Sequence, residues 1–275
     1  MTTEATTYPS RPSGRSPKAW LSALRLMVRN KGFAYLITWG HRITGLLLVA
    51  YALFHVYTLT ALKDPASYDA KMALFGGPVF LFLEWALAIP VILHSFNGGR
   101  LILYELFGRR DDKAMLRAVF AFSGLYVLLL GVVMVMGGQT VSPVSFWLFV
   151  LAAALSVTVL VGQRIWKVGH AWSWKLQRFT GAFLLVMIPA HMILSHLNVE
   201  ASHSAEVVVA RMRIGLVKVV DILLLLSVMY HAAYGLISIA GDYLAGRLAR
   251  TGAYILVVLI GLAVAYFGLE LTLAV

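Results

Sequence analysis

The sequence predicts an all-α integral membrane bundle of about seven transmembrane helices, and three observations carry that prediction. Hydrophobic residues make up 60% of the 275-residue chain and charged residues only 13%. Seven apolar runs approach or exceed the roughly 20 helical residues that cross a hydrocarbon core of about 30 Å. Hydrocarbon offers no water to backbone N–H and C=O groups, so each run must satisfy its own backbone, and such lengths suit helices rather than barrel strands of about ten residues. The third observation is that Lys and Arg cluster between alternate runs, as they do in chains that cross a membrane repeatedly.

Residues 1–32, which contain "YPSRPSGRSPK", lack the apolar core of a signal peptide and read as a flexible cytoplasmic arm able to lie on a soluble partner. A transit peptide is the lesser alternative. Spans follow near 33–62, 78–106, 115–136, 145–162, 177–197, 214–243 and 252–273; the first, second and sixth are long enough to tilt or protrude. With the N-terminus inside, eighteen of the 23 Lys and Arg fall on the inner side: six in 1–32, four in 108–117, four in 163–178, two in 242–251, and Arg42 and Arg100. Only Lys63, Lys71, Arg211, Arg213 and Lys218 fall outside. This bias orients the chain with a cytoplasmic N-terminus and an external C-terminus, and the plasma (inner) membrane is the expected setting. The net charge of +11 is then topology, in contact with membrane lipid, and implies no nucleic-acid partner. The chain has no cysteine, so any metal must sit on His, carboxylate or a cofactor's own nitrogens.

An internal repeat organises the chain. "HRITGLLLVAYALFHVY" from 41 matches "QRFTGAFLLVMIPAHMI" from 177, so that Arg42, Thr44, Gly45 and His55 recur as Arg178, Thr180, Gly181 and His191, displaced by 136. Glu84, His94 and Gly98 recur as Asp221, His231 and Gly235, displaced by 137. The expected organisation is the arm 1–32, a first three-helix repeat 33–136, a connector with an extra transmembrane helix 137–168, and a second three-helix repeat 169–275. Three crossings end outside, so a second unit in the same orientation needs one more crossing. The span 145–162 supplies it and holds no His, Asp, Glu, Lys or Arg.

The rise of about 1.5 Å per residue sets depth: His94 and His231 form an inner pair, His55 and His191 an outer pair. A single intramembrane histidine is ordinarily a hydrogen-bonded core residue. Four at repeat-related positions suit the facing imidazoles of six-coordinate haem iron, and the glycine four residues after each second-helix histidine leaves backbone room for a flat porphyrin. Glu84 and Asp221 read either as imidazole partners, proton relays or members of a metal shell, or as interfacial carboxylates facing water. His41 and Arg42 match the depth of Asp242 and Tyr243. These residues supply the donors and proton carriers that a quinone needs, and Arg and Tyr also serve as ordinary interface anchors. His170, His196 and His203 read as solvated.

"TWGHRITG" (38–45), "HSFNGGR" (94–100) and "HAAYGLISIAGDY" (231–243) resemble motifs of the membrane-anchor cytochrome b subunits of succinate:quinone oxidoreductases and fumarate reductases, the complex II family. The chain resembles that family's two anchor subunits fused head to tail. The resemblance implies His94 and His231 as axial ligands of a haem b, Arg100 near its propionates, and Thr38, Arg42 and Tyr243 lining a quinone pocket beside His41 and Asp242. His55 and His191 resemble the further pair of dihaem anchors, so one or two haems are implied. A non-haem iron or an iron–sulfur centre held by histidine is the alternative. Gln177 and Trp174 stand where the first copy has His41 and Thr38, so no equivalent quinone site is expected there.

The implied function is the membrane anchor of a succinate dehydrogenase, passing electrons from an iron–sulfur subunit to quinone. The chain has no Gly-rich dinucleotide loop, so a flavoprotein partner would oxidise succinate, docked with the iron–sulfur subunit on the cytoplasmic face. The competing readings are a secondary transporter, since those are also built from repeats, and a purely structural anchor.

Overall fold

The computed structural model describes residues 26, 32–109 and 111–275. The basic arm expected over 1–32 therefore lies almost entirely outside the described residues. The chain divides into two units, Met1–Gly40 and His41–Val275. In the first, Gly32 adopts a positive φ of 80°, and the amide of Tyr35 donates to the Gly32 carbonyl at 3.3 Å.

The described residues form helices α1 (Phe33–Leu59), α2 (Pro65–Phe75), α3 (Pro78–Phe107), α4 (Asp112–Met136), α5 (Pro143–Ile165), α6 (Trp172–His196), α7 (Val199–Ser202), α8 (Ala205–Met212), α9 (Gly215–Tyr243) and α10 (Arg247–Ala274). Seven of them, α1, α3, α4, α5, α6, α9 and α10, are long and apolar enough to cross a membrane. The protein is thus an all-α, multi-pass membrane bundle. Large apolar side chains cover its outside, with Val135 89% and Phe149 79% exposed; lipid covers such a surface where water would not.

Several helices begin before the expected apolar runs: α4 at 112 rather than 115, α5 at 143 rather than 145, α6 at 172 rather than 177, and α10 at 247 rather than 252. Hydropathy marks the oil, whereas a helix starts where its first amides find acceptors. Asp111 caps α4 by accepting from the Ala114 amide at 3.0 Å, and Ser142 caps α5 with Pro143 at its first position, where the missing N–H costs nothing. The first span also ends differently: α1 stops at Leu59 and tightens into a 3-10 turn over Thr60–Lys63.

The span expected only as a connector holds much of the core. Trp147, Val150 and Ala154 of α5 pack with Phe183, Leu184 and Met187 of α6 and Val217, Val220 and Leu224 of α9. Helices α3 and α6 carry Pro90 and Pro189 but run without interruption. Among the remaining contacts, α3 packs on α4 and α6, and α9 on α10.

The short helices α2, α7 and α8 close the end of the bundle that carries Lys63. Asp69 Oδ1 accepts from the Ala205 amide at 2.7 Å, which caps α8 from another element. The Tyr68 hydroxyl donates to the Ser202 carbonyl at 3.1 Å, and Lys63 meets Glu270 at 2.6 Å.

Two predictions follow from this packing. A Cβ at Gly131 would lie 2.8 Å from Trp85 Nε1, and that indole is pinned by its bond to the Val127 carbonyl at 3.0 Å. Gly131→Ala should therefore lower stability by about 1–3 kcal/mol, read as thermal unfolding in detergent. Burial, aided by the Asp69 and Glu84 carboxylates, pushes the Tyr68 phenol up from 10.0 to about 12. The folded state favours the neutral phenol, so this stabilisation is complete below the unfolded pKa and is lost as pH rises through the folded value. Tyr68→Phe should abolish that alkaline loss.

Candidate functional site

The site is built by residues of the second unit, His41 onward; Thr38 falls in the first. On α1, His41, Arg42, Thr44 and Gly45 follow one another within little more than a turn. His94 of α3 rests against this stretch. Its Nδ1 lies 3.1 Å from the His41 carbonyl and 3.2 Å from Thr44 Oγ1, while the Thr44 hydroxyl itself donates to the same carbonyl at 3.0 Å. A carbonyl only accepts, so Nδ1 of His94 carries the proton and Nε2 keeps its lone pair. The His41 ring stacks on His94, with centroids 3.9 Å apart and planes 6° from parallel.

The second copy repeats the arrangement in part: Gln177 stands in the place of His41, and Thr180 bonds only within its own helix. His231 of α9 lies against Gly181 of α6, whose Cβ would fall 3.3 Å from its Cε1. Gln177, in the place of His41, approaches His231 edge-on with its amide nitrogen 3.4 Å from Nε2.

Both expected histidine pairs are brought together. His94 and His231 have centroids 6.3 Å apart and planes 81° apart; His55 and His191 have centroids 6.3 Å apart and planes 86° apart. Tyr51 stacks on His55 at 5.6 Å and Trp147 on His191 at 6.4 Å. The glycines expected to leave room beside the second-helix histidines differ. Nothing described lies within 4 Å of a Cβ at Gly235, whereas the His41 ring fills that space at Gly98, 3.7 Å from a Cβ.

Other expected residues take definite places. Glu84 lies 3.6 Å from His196 Nε2, and His196 Nδ1 is 2.7 Å from the Met192 carbonyl. His196 is thus a largely buried partner rather than a solvated residue. Asp221 forms no ion pair among the described residues. Arg100 is buried, donates through Nε to Asn97 at 2.8 Å and pairs with Asp112.

Arg42 donates to Asp242 Oδ2 at 2.6 Å and to the Tyr243 hydroxyl, so these three residues converge as expected. Arg178, its counterpart, makes two parallel bonds to Glu105, at 2.9 and 2.8 Å, and its guanidinium lies 4.5 Å from the Trp174 ring centre. The sequence reading missed Glu105. Its signal was available, because Glu105 and Asp242 are separated by the same 137 residues as His94 and His231. The first helix of each copy therefore clasps the second helix of the other.

A seven-helix membrane bundle with repeat-related buried imidazole pairs and crossed ion pairs defines a duplicated, polar-cored membrane subunit. The chain belongs to the family of succinate dehydrogenase/fumarate reductase transmembrane subunits, which matches residues 21–133 and again 163–269. It is 30% identical to the succinate dehydrogenase 2 membrane subunit SdhC of Mycobacterium tuberculosis over 96 residues, 34% of this chain and 71% of that protein. No solved structure matches it. The protein is therefore a membrane subunit of the succinate dehydrogenase/fumarate reductase class.

The clasps give a further prediction. The bidentate Arg178–Glu105 pair is 22% and 31% exposed, against 43% and 41% for Lys63–Glu270. A double-mutant cycle should give a coupling of about 1.5–3 kcal/mol for the first and below about 1 kcal/mol for the second.

Proposed function

We propose that this chain is the anchor of a succinate:quinone oxidoreductase in which electrons pass from an iron–sulfur subunit, itself fed by a flavoprotein, to a quinone at the Arg42 end. The basic residues clustered at that end support assigning it to the cytoplasmic side, where both partners would dock on the plasma membrane. The two segments matching one family support reading the chain as two anchor units in tandem, joined by α5.

The observation that carries the redox reading is a concentration of unsatisfied polar atoms. Among the described residues, five buried side-chain nitrogen or oxygen atoms have no hydrogen-bond partner, and four of them belong to His41, Asn97, Gln177 and His231, around the His94–His231 pair. Each such atom costs about 1–3 kcal/mol, and a bound group would supply partners. In each pair the ring centroids stand 6.3 Å apart, a separation at which one metal ion would reach a nitrogen of each ring with bonds of about 2 Å. Among the described residues no three His, Asp or Glu side chains gather as a metal shell. Two imidazoles without a third side-chain ligand suit a metal that brings its own equatorial nitrogens, which favours haem b over a non-haem iron or a histidine-held iron–sulfur centre.

His94 and His231 would hold one haem b, and His55 and His191 a second. Bound there, such a group supplies a one-electron carrier. His94 is ready as a ligand because its proton is held on Nδ1 by the His41 carbonyl. Gln177 would have to yield Nε2 of His231 to the iron. Arg100 uses two of five donors on Asn97 and Asp112 in the bonds above, which leaves capacity for a propionate. At the quinone, Arg42 would hold a carbonyl oxygen. Its bond to the Tyr243 oxygen polarises the phenolic O–H as a donor, and Asp242 keeps the guanidinium in place. His41 bridges the two sites, its ring on His94 and its Nδ1 buried without a partner. Glu84 and His196, 3.6 Å apart, would carry protons near the His55–His191 pair. A transporter would call for broken helices at a midplane site, and the spans here are continuous.

The test is a reduced-minus-oxidised optical spectrum of the purified complex with haem extracted and counted. Two haems per chain are expected. His94→Ala and His231→Ala should each remove one, and His55→Ala the other. Arg42→Leu should leave both and lower quinone reduction by about 10²-fold or more. A colourless complex that still reduces quinone would overturn the haem assignment.

A further inference from the structure

The repeated Thr-Gly dipeptide on the first helix of each copy has no place in the proposed electron or proton path, yet its glycine lies directly against the second-helix histidine both times. We propose that Thr44–Gly45 and Gly181 are imidazole seats, positioning residues that fix the rings of His94 and His231 for ligation. The proposal rests on the haem assignment above and adds the residues that orient the ligands.

The first part of the seat is space. A Cβ at position 45 would lie 3.1 Å from His94 Cε1 and 3.6 Å from Nδ1; at position 181 the corresponding distances to His231 are 3.3 and 3.6 Å. The same two ring atoms are met at nearly the same distances, so the two imidazoles rest on their glycines in the same pose. Glycine inside a helix costs about 0.5–1 kcal/mol relative to alanine, and here that cost falls twice at positions where a ring occupies the place of a methyl group.

The second part is the hydroxyl. Thr44 donates to the His41 carbonyl at 3.0 Å, which leaves its oxygen lone pairs toward His94 Nδ1 at 3.2 Å. The Nδ1–H of His94 is thereby shared between two acceptors, and the ring cannot rotate about its bond to the side chain without losing both. Thr180 donates instead to the Leu176 and Gln177 carbonyls, at 2.9 and 3.1 Å, and makes no bond to His231. The seat of His94 therefore includes a hydroxyl at Nδ1, which the seat of His231 lacks. His94 is the fixed ligand of the pair and His231 the adjustable one. This agrees with Gln177 standing at Nε2 of His231 where nothing comparable meets His94.

The experiment uses the purified complex with Gly45→Ala, Gly181→Ala, Thr44→Val, Thr44→Ser and Thr180→Val, and with Gly124→Ala as control, because nothing lies within 4 Å of a Cβ there. Haem release is timed by transfer to excess apomyoglobin, and the ferric low-spin EPR signal is recorded. Gly45→Ala and Thr44→Val should release one haem about tenfold faster or more and move its EPR signal. Thr44→Ser should restore both. Gly181→Ala should act in the same direction, and Thr180→Val and Gly124→Ala should change neither. Unchanged release and EPR in both Gly45→Ala and Thr44→Val, in a complex that carries haem, would overturn the seats. Nitrogen NMR of labelled histidine in the dithionite-reduced complex decides the matter even where the wild-type complex carries no haem. The Nδ1–H tautomer of His94 should dominate in wild type and in Thr44→Val alike, because the His41 carbonyl still accepts, but the His94 Nδ1 resonance should shift in Thr44→Val as one of its two acceptors is lost and keep its wild-type position in Thr44→Ser. Absence of haem with this shift present would sink the haem assignment and keep the seat, whereas an unmoved Nδ1 resonance would sink the seat.

Discussion

Hydrocarbon does not solvate polar groups, and every polar side chain inside this bundle is arranged under that constraint. Hydroxyls bond back to carbonyls one turn earlier on their own helices, as Thr58, Ser156, Thr158, Ser195 and Thr272 do. Arg42, Arg100 and Arg178 each reach an acid on another helix. Because the rule is obeyed so widely, its exceptions carry information. Among the described residues, four of the five unsatisfied side-chain atoms gather around His94 and His231.

The same constraint explains how two copies hold together. An arginine near a membrane boundary needs an acid close by, and each copy places its acid at the end of its second helix. Crossing the pairs, Arg42 to Asp242 and Arg178 to Glu105, satisfies both charges and ties the copies to each other. The histidines pair across the copies as well, second helix to second helix and first helix to first helix. Helix α5, without an ionisable residue before Arg164, supports this through shape alone, its Trp147 and Ala154 buried in the common core.

Duplication gave two similar ends, and small substitutions made them different. His41 stacks on its histidine whereas Gln177 meets its histidine edge-on. Arg42 shares its charge between an acid and a tyrosine, whereas Arg178 is held twice by Glu105 and covered by Trp174, with Leu106 where the other copy has Tyr243. One end keeps an arginine shared between an acid and a tyrosine hydroxyl, and the other is closed as a bidentate clasp.

Hydropathy, the charge bias and the 136- to 137-residue offsets made the helical class, the number of spans and the histidine pairings legible in the sequence, because bilayer thickness fixes span length and a repeat carries its contacts with it. Helix starts were misplaced by up to five residues, since hydropathy passes over polar first turns: an Asp cap opens α4 and a Ser cap with a proline opens α5, while α6 and α10 begin without a side-chain cap. The extramembrane helices α2, α7 and α8 were missed because they are short. Glu84 could be read two ways until the structure set it against His196. Glu105 looked like one more interfacial acid until the fold crossed it onto Arg178. The sequence by itself determined which residues are polar in the membrane and how they repeat, because those follow from composition and spacing along one chain. Which carbonyl meets which imidazole, which acid holds which arginine and which glycine gives way to a ring were decided only by the tertiary structure, because they depend on distances between helices that no spacing within one helix encodes.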